Sequence, residues 1–242
     1  MMNFNGYDTP RGATQMQPTD DWQPLAASLG SRFAIVEQCV TLARREYRLL
    51  KPRSPDELIS EEDFNRDERL PYWADVWPSA LCLAERVEAE AGRGRRFLEL
   101  GCGIGYLCAV AAVQGFEVLG TDYYSEALEF TWLNARRNGL AGPATKLVDW
   151  RDFPGDLGRF DLLAAADVLY EKAYPALIAA AFARTLAPAG LGLVADPGRR
   201  GAGPFVEECT ARGLAIHKIL QAPFDNGSVC HTVDLYEIRW PR

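Results

Sequence analysis

Only two histidines, His217 and His231, occur in 242 residues, and neither stands at the spacing of a zinc ligand. The six cysteines, at positions 39, 82, 102, 108, 209 and 230, include no C-x-x-C pair. A disulfide framework and a metal site are therefore both unexpected, and no metal ligand is assigned. No apolar run reaches the length of a membrane span, so no membrane partner is expected. The N-terminus lacks the basic-then-apolar order of a signal peptide, which makes the cytoplasm the expected location. Positive charge is the scarcer sign: 26 Lys and Arg stand against 33 Asp and Glu, giving a net charge of −7 and a pI near 5.0. A nucleic-acid partner needs clustered Lys and Arg and is not expected. No internal repeat is visible.

What is present is an ordinary globular composition, 48% hydrophobic and 24% charged, in a chain long enough for one α/β domain with extensions. The chain is organised around Phe97 to Gly105, FLELGCGIG. A short apolar run, broken only by Glu99, enters a glycine-rich turn, and Tyr106 to Val113 then reads as a buried helix. That order of strand, tight turn and helix start is the local layout of a nucleotide-binding α/β unit. Glycine can take φ > 0 and carries no Cβ, so backbone can approach a ligand at the helix N-terminus. The spacing is Gly101-x-Gly103-x-Gly105, and Tyr106 fills the position where a dinucleotide fingerprint has its third glycine. A nicotinamide-dependent dehydrogenase is disfavoured on that ground.

Residues 1–24 are polar and aperiodic and read as a flexible tail; 25–70 form an N-terminal extension, and 71–242 the main domain. Phe33 to Leu50 fits helical spacing at some positions, but its β-branched residues favour a hairpin turning at Ala43. Asp56 to Phe64 reads as a short acidic helix. Leu70 to Glu85 carries Tyr72, Trp73 and Trp77 between Pro71 and Pro78, an aromatic corner and a candidate pocket wall; Ser79 is the expected cap of a helix running to about Ala91. Strands then alternate with helices: 116–121, 144–148, 160–166 and 191–195 as strands, and 125–138, 174–186 and 205–212 as helices. Strands over 214–220 and 231–240, joined by a loop at 221–230, close the sheet. The expected fold is α/β: a Rossmann-like, doubly wound, seven-stranded, mostly parallel sheet with an antiparallel last strand, plus the N-terminal hairpin.

Ligands in such a sheet sit at the carboxyl ends of the strands, and Asp122, Asp149, Asp167 and Asp196 fall at four successive ends. A carboxylate after the second strand accepts both hydroxyls of a ribose. One after the third takes an adenine amino group, with Trp150 stacking beside it. Each acid taken singly also suits a helix cap or a solvated turn.

The pattern Glu99-Leu100-Gly101-Cys102-Gly103-Ile104-Gly105, the acid Asp122, the pair Asp149-Trp150, Trp77-Pro78 and above all Asp167-Val168-Leu169-Tyr170 resemble the seven-strand S-adenosylmethionine (SAM) methyltransferases. Within that class they resemble the protein lysine methyltransferases called methyltransferase family 16, with their D-x-x-Y signature. The likeness covers most of the chain from about residue 32. It implies SAM as cofactor, S-adenosylhomocysteine as product and a lysine side chain of a protein as acceptor. It places Glu99, Gly101, Gly103 and Gly105 along the methionine end of SAM with Trp77 nearby, Asp122 on the ribose, and Tyr123, Asp149 and Trp150 around the adenine. Ala166 and Asp167 fall near the sulfonium, with Tyr170 at the mouth of the acceptor channel. Asp167 and Tyr170 are then the catalytic pair: Asp167 orients the amine, and Tyr170 walls the channel. The stretch Asp196-Pro197-Gly198-Arg199 lies toward the acceptor face without an assigned role. Small-molecule N- or O-methyl transfer, and a non-catalytic interaction module, share the same cofactor half. The acceptor, the number of methyl groups added and the oligomeric state are not legible.

Overall fold

A computed structural model describes residues 20–54, 58, 72–225 and 230–241. Its centre is a seven-stranded sheet in the order β5-β4-β3-β6-β7-β9-β8. The strands are β3 (Arg96–Leu100), β4 (Glu117–Asp122), β5 (Ala144–Leu147), β6 (Phe160–Ala166), β7 (Leu186–Asp196), β8 (Ala215–Asp225) and β9 (Cys230–Arg239). Pairings among β3, β4, β5, β6 and β7 are parallel, and β9 runs antiparallel to both its neighbours.

The inner strands are apolar at almost every position because helices cover both faces. Side chains alternate across a strand. Phe97, Leu162, Ala164 and Leu193 pack on one face, while Leu98, Leu100, Leu163 and Val194 pack on the other. The helices are α1 (Gln23–Arg32), α2 (Pro78–Glu88), α3 (Tyr106–Val113), α4 (Ser125–Arg137), α5 (Tyr174–Thr185) and α6 (Ala202–Ala211).

The hairpin forms as expected, with β1 (Ile35–Leu42) antiparallel to β2 (Arg45–Pro52). One edge of β2 is closed by α4 rather than by a strand. Asn134 accepts from the Leu50 amide at 2.8 Å and donates to the Leu50 carbonyl at 2.9 Å. Asn138, one turn on, repeats this on Arg48, with both bonds at 3.0 Å. Two side-chain amides four residues apart thus stand in for a neighbouring strand and cover an open edge. Asn134 is fully buried and also donates to the Ile104 carbonyl at 2.9 Å, behind the glycine turn. Asn134→Ala orphans buried backbone groups and is expected to cost about 2 kcal/mol of stability, read from denaturant unfolding.

Several details differ from the sequence reading. Helix α1 falls partly in the stretch read as tail; Arg32 and Asp21 tie this region to α4 through Glu126, Glu129 and Arg136. Ser79 does not cap α2. Pro78 takes the first helical position, as proline prefers, so Trp77 occupies the cap position without a side-chain bond to the helix, and the helix ends at Glu88. Strand β7 begins at Leu186, directly after α5, and β8 runs on to Asp225, so the first half of the loop expected at 221–230 is strand. The helix expected at 56–64 lies outside the described residues except for Leu58.

Candidate active site

Strand β3 delivers Leu100 into the turn, and the Gly101 and Cys102 amides both donate to the Thr121 carbonyl at 2.9 Å. This locks the turn to the end of β4. Gly103 has φ 53°, and a Cβ there would sit 2.8 Å from the Trp73 carbonyl oxygen. Gly105 has φ 83°, and its Cβ would stand 2.6 Å from Thr131 Cα on α4. The third glycine therefore permits helix packing. It is absent from the cleft lining, which departs from the role the motif suggested for it.

Above the turn opens a cleft at the carboxyl ends of the parallel strands. Trp77, Glu99, Gly101, Gly103, Asp122, Tyr123, Asp149, Trp150, Ala166, Asp167 and Tyr170 all line it, so every proposed site residue except Gly105 converges there. Asp196 does not line it. That side chain is buried and accepts from the Arg199 amide at 2.6 Å. The walls are aromatic. Tyr72 meets Trp77 and Tyr170 edge-on at 5.8 and 5.4 Å, and Tyr174 meets Trp150 and Tyr170 at 4.9 and 5.1 Å. Trp77 is fixed by donating its indole N–H to the Tyr72 carbonyl at 2.8 Å. Tyr174, Tyr124 and Val168 were not singled out in the sequence; Tyr174 has one legible signal, its place four residues after Tyr170 at the start of a helix.

The acids are held in four different ways. Glu99 is buried beneath the turn and accepts from Cys108 Sγ at 3.0 Å. Burial pushes its carboxyl up from 4.5 to about 8, against that hydrogen bond and with nearby Asp122 adding to the rise. Asp122 accepts from the Gly103 and Tyr124 amides at 2.9 and 3.1 Å. Burial raises it from 3.8 to about 6, and those amides oppose the rise. Asp149 caps the 3₁₀ turn Trp150–Asp152 and holds the Arg151 guanidinium at 2.6–3.0 Å.

Asp167 sits at φ 59°, a left-handed conformation that Asp tolerates better than most residues. Its amide donates to the Ala195 carbonyl at 2.9 Å, which tethers the turn to the end of β7. It does not cap α5, whose cap position is Ala173. Its Oδ1 accepts from Arg199 Nε at 2.5 Å, and the Arg199 guanidinium lies 5.8 Å from the Tyr170 ring centre. The sequence did not foretell this pair. Desolvation pushes the Tyr170 phenol up, so it stays protonated.

A family model described as a methyltransferase domain matches residues 91–233, more than half of the chain, and the chain belongs to that family. Among curated relatives, protein-lysine methyltransferase METTL21E of Mus musculus is 35% identical over 112 residues, 41% of this chain and 46% of the relative. EEF1A lysine methyltransferase 3 of Mus musculus is 34% identical over 123 residues, 47% and 51% of the two chains. The electron transfer flavoprotein beta subunit lysine methyltransferase of Danio rerio is 32% identical over 106 residues, 43% and 40%. The chain spans about half the length of the curated relatives it matches. Among solved structures, the T. thermophilus 16S rRNA N2 G1207 methyltransferase gives a TM-score of 0.62 at 18% identity, covering 86% of this chain and 51% of that one. The N-methyltransferase NodS of Bradyrhizobium japonicum gives 0.57 at 18% identity, covering 75% and 98%. These two likenesses show the fold: a Rossmann-like methyltransferase sheet.

Proposed function

We propose that the chain is a SAM-dependent protein lysine N-methyltransferase, with residues 71–242 as the methyltransferase domain, 25–70 as an extension and 1–24 as a tail. The observation that carries the reading is Asp167 and Tyr170 standing together at the end of β6, on the rim of a cleft whose depth holds Glu99, Asp122 and Trp150. The named activity of the curated relatives supports a lysine acceptor. The net charge and the absence of a span-length apolar run support a protein substrate in the cytoplasm over a nucleic acid or a membrane.

The cleft suits SAM chemically. Trp150 Nε1 is buried without a hydrogen-bond partner among the described residues, a donor facing the proposed adenine end. Asp122 has its carboxylate fixed by backbone amides at the position for a ribose diol, and Tyr123 stands beside it. Glu99, Gly101, Gly103 and Trp77 surround the proposed methionine end, Asp149 and Trp150 the adenine, and Ala166 the proposed sulfonium position. The bound cofactor supplies an electrophilic methyl group. The protein's part is to hold the acceptor amine in line with it, where positioning alone is worth on the order of 10⁵ M or more in effective concentration. Asp167 receives the amine through a charge-assisted hydrogen bond, and Tyr170, neutral and walled by Tyr72 and Tyr174, sets the width of the entrance. A free lysine has a pKa of about 10.4 and Asp167 alone would raise it; the positive charge of the cofactor, when bound, would lower it, and the proton would pass to water or a nearby group.

The test is incubation with isotopically labelled SAM and a lysate of the source cells, separated by size. Label on a protein band at lysine supports the reading. Label confined to small molecules refutes the lysine acceptor, and absence of SAM binding refutes the whole. Asp122→Asn is expected to weaken SAM binding about tenfold by calorimetry, since it replaces a charged acceptor. For the same reason wild-type affinity should fall as pH drops through about 6, where Asp122 takes up a proton.

A further inference from the structure

A second cavity, about 660 Å³, opens on the far side of Tyr170 from the cofactor cleft. It lies between the segment after β6 and the segment after β7, and Tyr170 lines both cavities. Three cations line it, Lys172, Arg199 and Arg200, against one acid, Glu171. In a chain of net charge −7 that local excess runs against the molecule as a whole. Lys172 and Arg200 are exposed and make no hydrogen bond or ion pair among the described residues. The first turns of α5 and α6 border the cavity at Pro175 and Pro204, so the positive ends of two helices add to the same field.

Arg199 connects the two cavities. Its guanidinium occupies Asp167, the carboxylate that the proposed reaction needs for the substrate amine, while its side chain is about one-third exposed toward the cationic cavity. A lysine arriving alone must displace a cation from a short ion pair and leave it unpaired at a half-buried site, which opposes binding. A substrate that brings a carboxylate beside its lysine avoids this.

We propose that the cavity between residues 169–175 and 198–204 docks an acidic side chain adjacent to the target lysine of a protein substrate, and that docking exchanges ion pairs. Arg199 leaves Asp167 for the substrate carboxylate, and Asp167 receives the substrate ammonium. Two ion pairs stand where one stood before, with no net change of charge and no proton moved. Lys172 and Arg200 draw the carboxylate in. The substrate class is a lysine flanked by Asp or Glu, and Arg199 is the positioning residue that reads the flank. A single carboxylate fits better than a nucleic-acid backbone, because three cations in an acidic chain cannot offset a row of phosphates. The inference rests on the lysine reading above for the identity of the amine.

The test uses two fluorescein-labelled peptides, identical except for Glu or Gln on both sides of one lysine, titrated by anisotropy into the full chain saturated with S-adenosylhomocysteine. The Glu peptide is expected to bind at least about tenfold more tightly, the advantage shrinking as salt rises. It should disappear in Lys172→Gln/Arg200→Gln, whose retained SAM binding shows that it is folded. Equal affinities, failure of both peptides to bind, or an advantage unchanged in the double variant overturns the inference. So does tighter binding of an eight-residue oligothymidylate than of the Glu peptide. Calorimetric SAM binding on the same preparation separates the two readings: without it the proposed function itself fails, and with it a flank-blind site removes only the docking inference.

Discussion

Asp167→Asn is expected to lower methyl-transfer turnover by about 10²- to 10³-fold while SAM affinity stays within about twofold. The chemical argument is that asparagine keeps the shape and an acceptor oxygen but loses the charge that orients an ammonium. The structural argument concerns the choice of substitute. At φ 59° a β-branched residue or alanine adds strain of roughly 1 kcal/mol or more, whereas asparagine tolerates the left-handed region nearly as well as aspartate. Asp167→Asn therefore isolates charge from fold in a way Asp167→Ala does not. The variant also frees Arg199 from its 2.5 Å pair, so a rise in KM without loss of kcat would mean that Asp167 serves only to hold Arg199. Single-turnover methylation beside calorimetric SAM binding distinguishes these outcomes.

Much of the scaffold was readable because the sheet is buried on both sides. Phe160 to Ala166 is apolar at nearly every position and bounded by a polar turn, and the observed strand has those bounds. The acids were legible by their shared position, at the ends of four strands, although each taken singly also suits a cap or a turn. Helix α1 was not legible. Its apolar positions Leu25, Ala26 and Leu29 pack on the core, but they are few in a ten-residue segment, QPLAASLGSR, that also holds a glycine and two serines, and Arg32 adds ion pairs to α4. The glycine spacing left the packing of Gly105 against Thr131 unread, because close approach of a ligand and close approach of a helix demand the same missing Cβ. Asp167 and Arg199 are 32 residues apart and meet only because a left-handed residue turns the chain at the end of β6. No local pattern encodes that.

Glu99→Gln is expected to flatten the pH dependence of stability and to raise stability at pH 7 by about 2–3 kcal/mol. Glu99 has its carboxyl raised from 4.5 to about 8 by burial, so the folded state holds the proton more tightly than the unfolded chain. Unfolding then releases a proton throughout the interval between those values, and stability falls as pH rises from about 4.5 to 8. The slope is close to 1.4 kcal/mol per pH unit for a single group, which sets the difference at pH 7 before any loss from the new amide N–H. Glutamine retains an oxygen for Cys108 Sγ but cannot ionise. Denaturant midpoints at pH 7 and 8, both above the range where Asp122 titrates, should therefore lie closer together in the variant than in the wild type. The same side chain lines the cleft at the proposed methionine end, where a bound ammonium would favour the carboxylate. Wild-type SAM binding near pH 7 should then release a proton, seen as a heat that changes between buffers of different ionisation enthalpy. In Glu99→Gln that buffer dependence should be absent. If it persists unchanged, the titrating group lies elsewhere and Glu99 is only a buried acid under the turn.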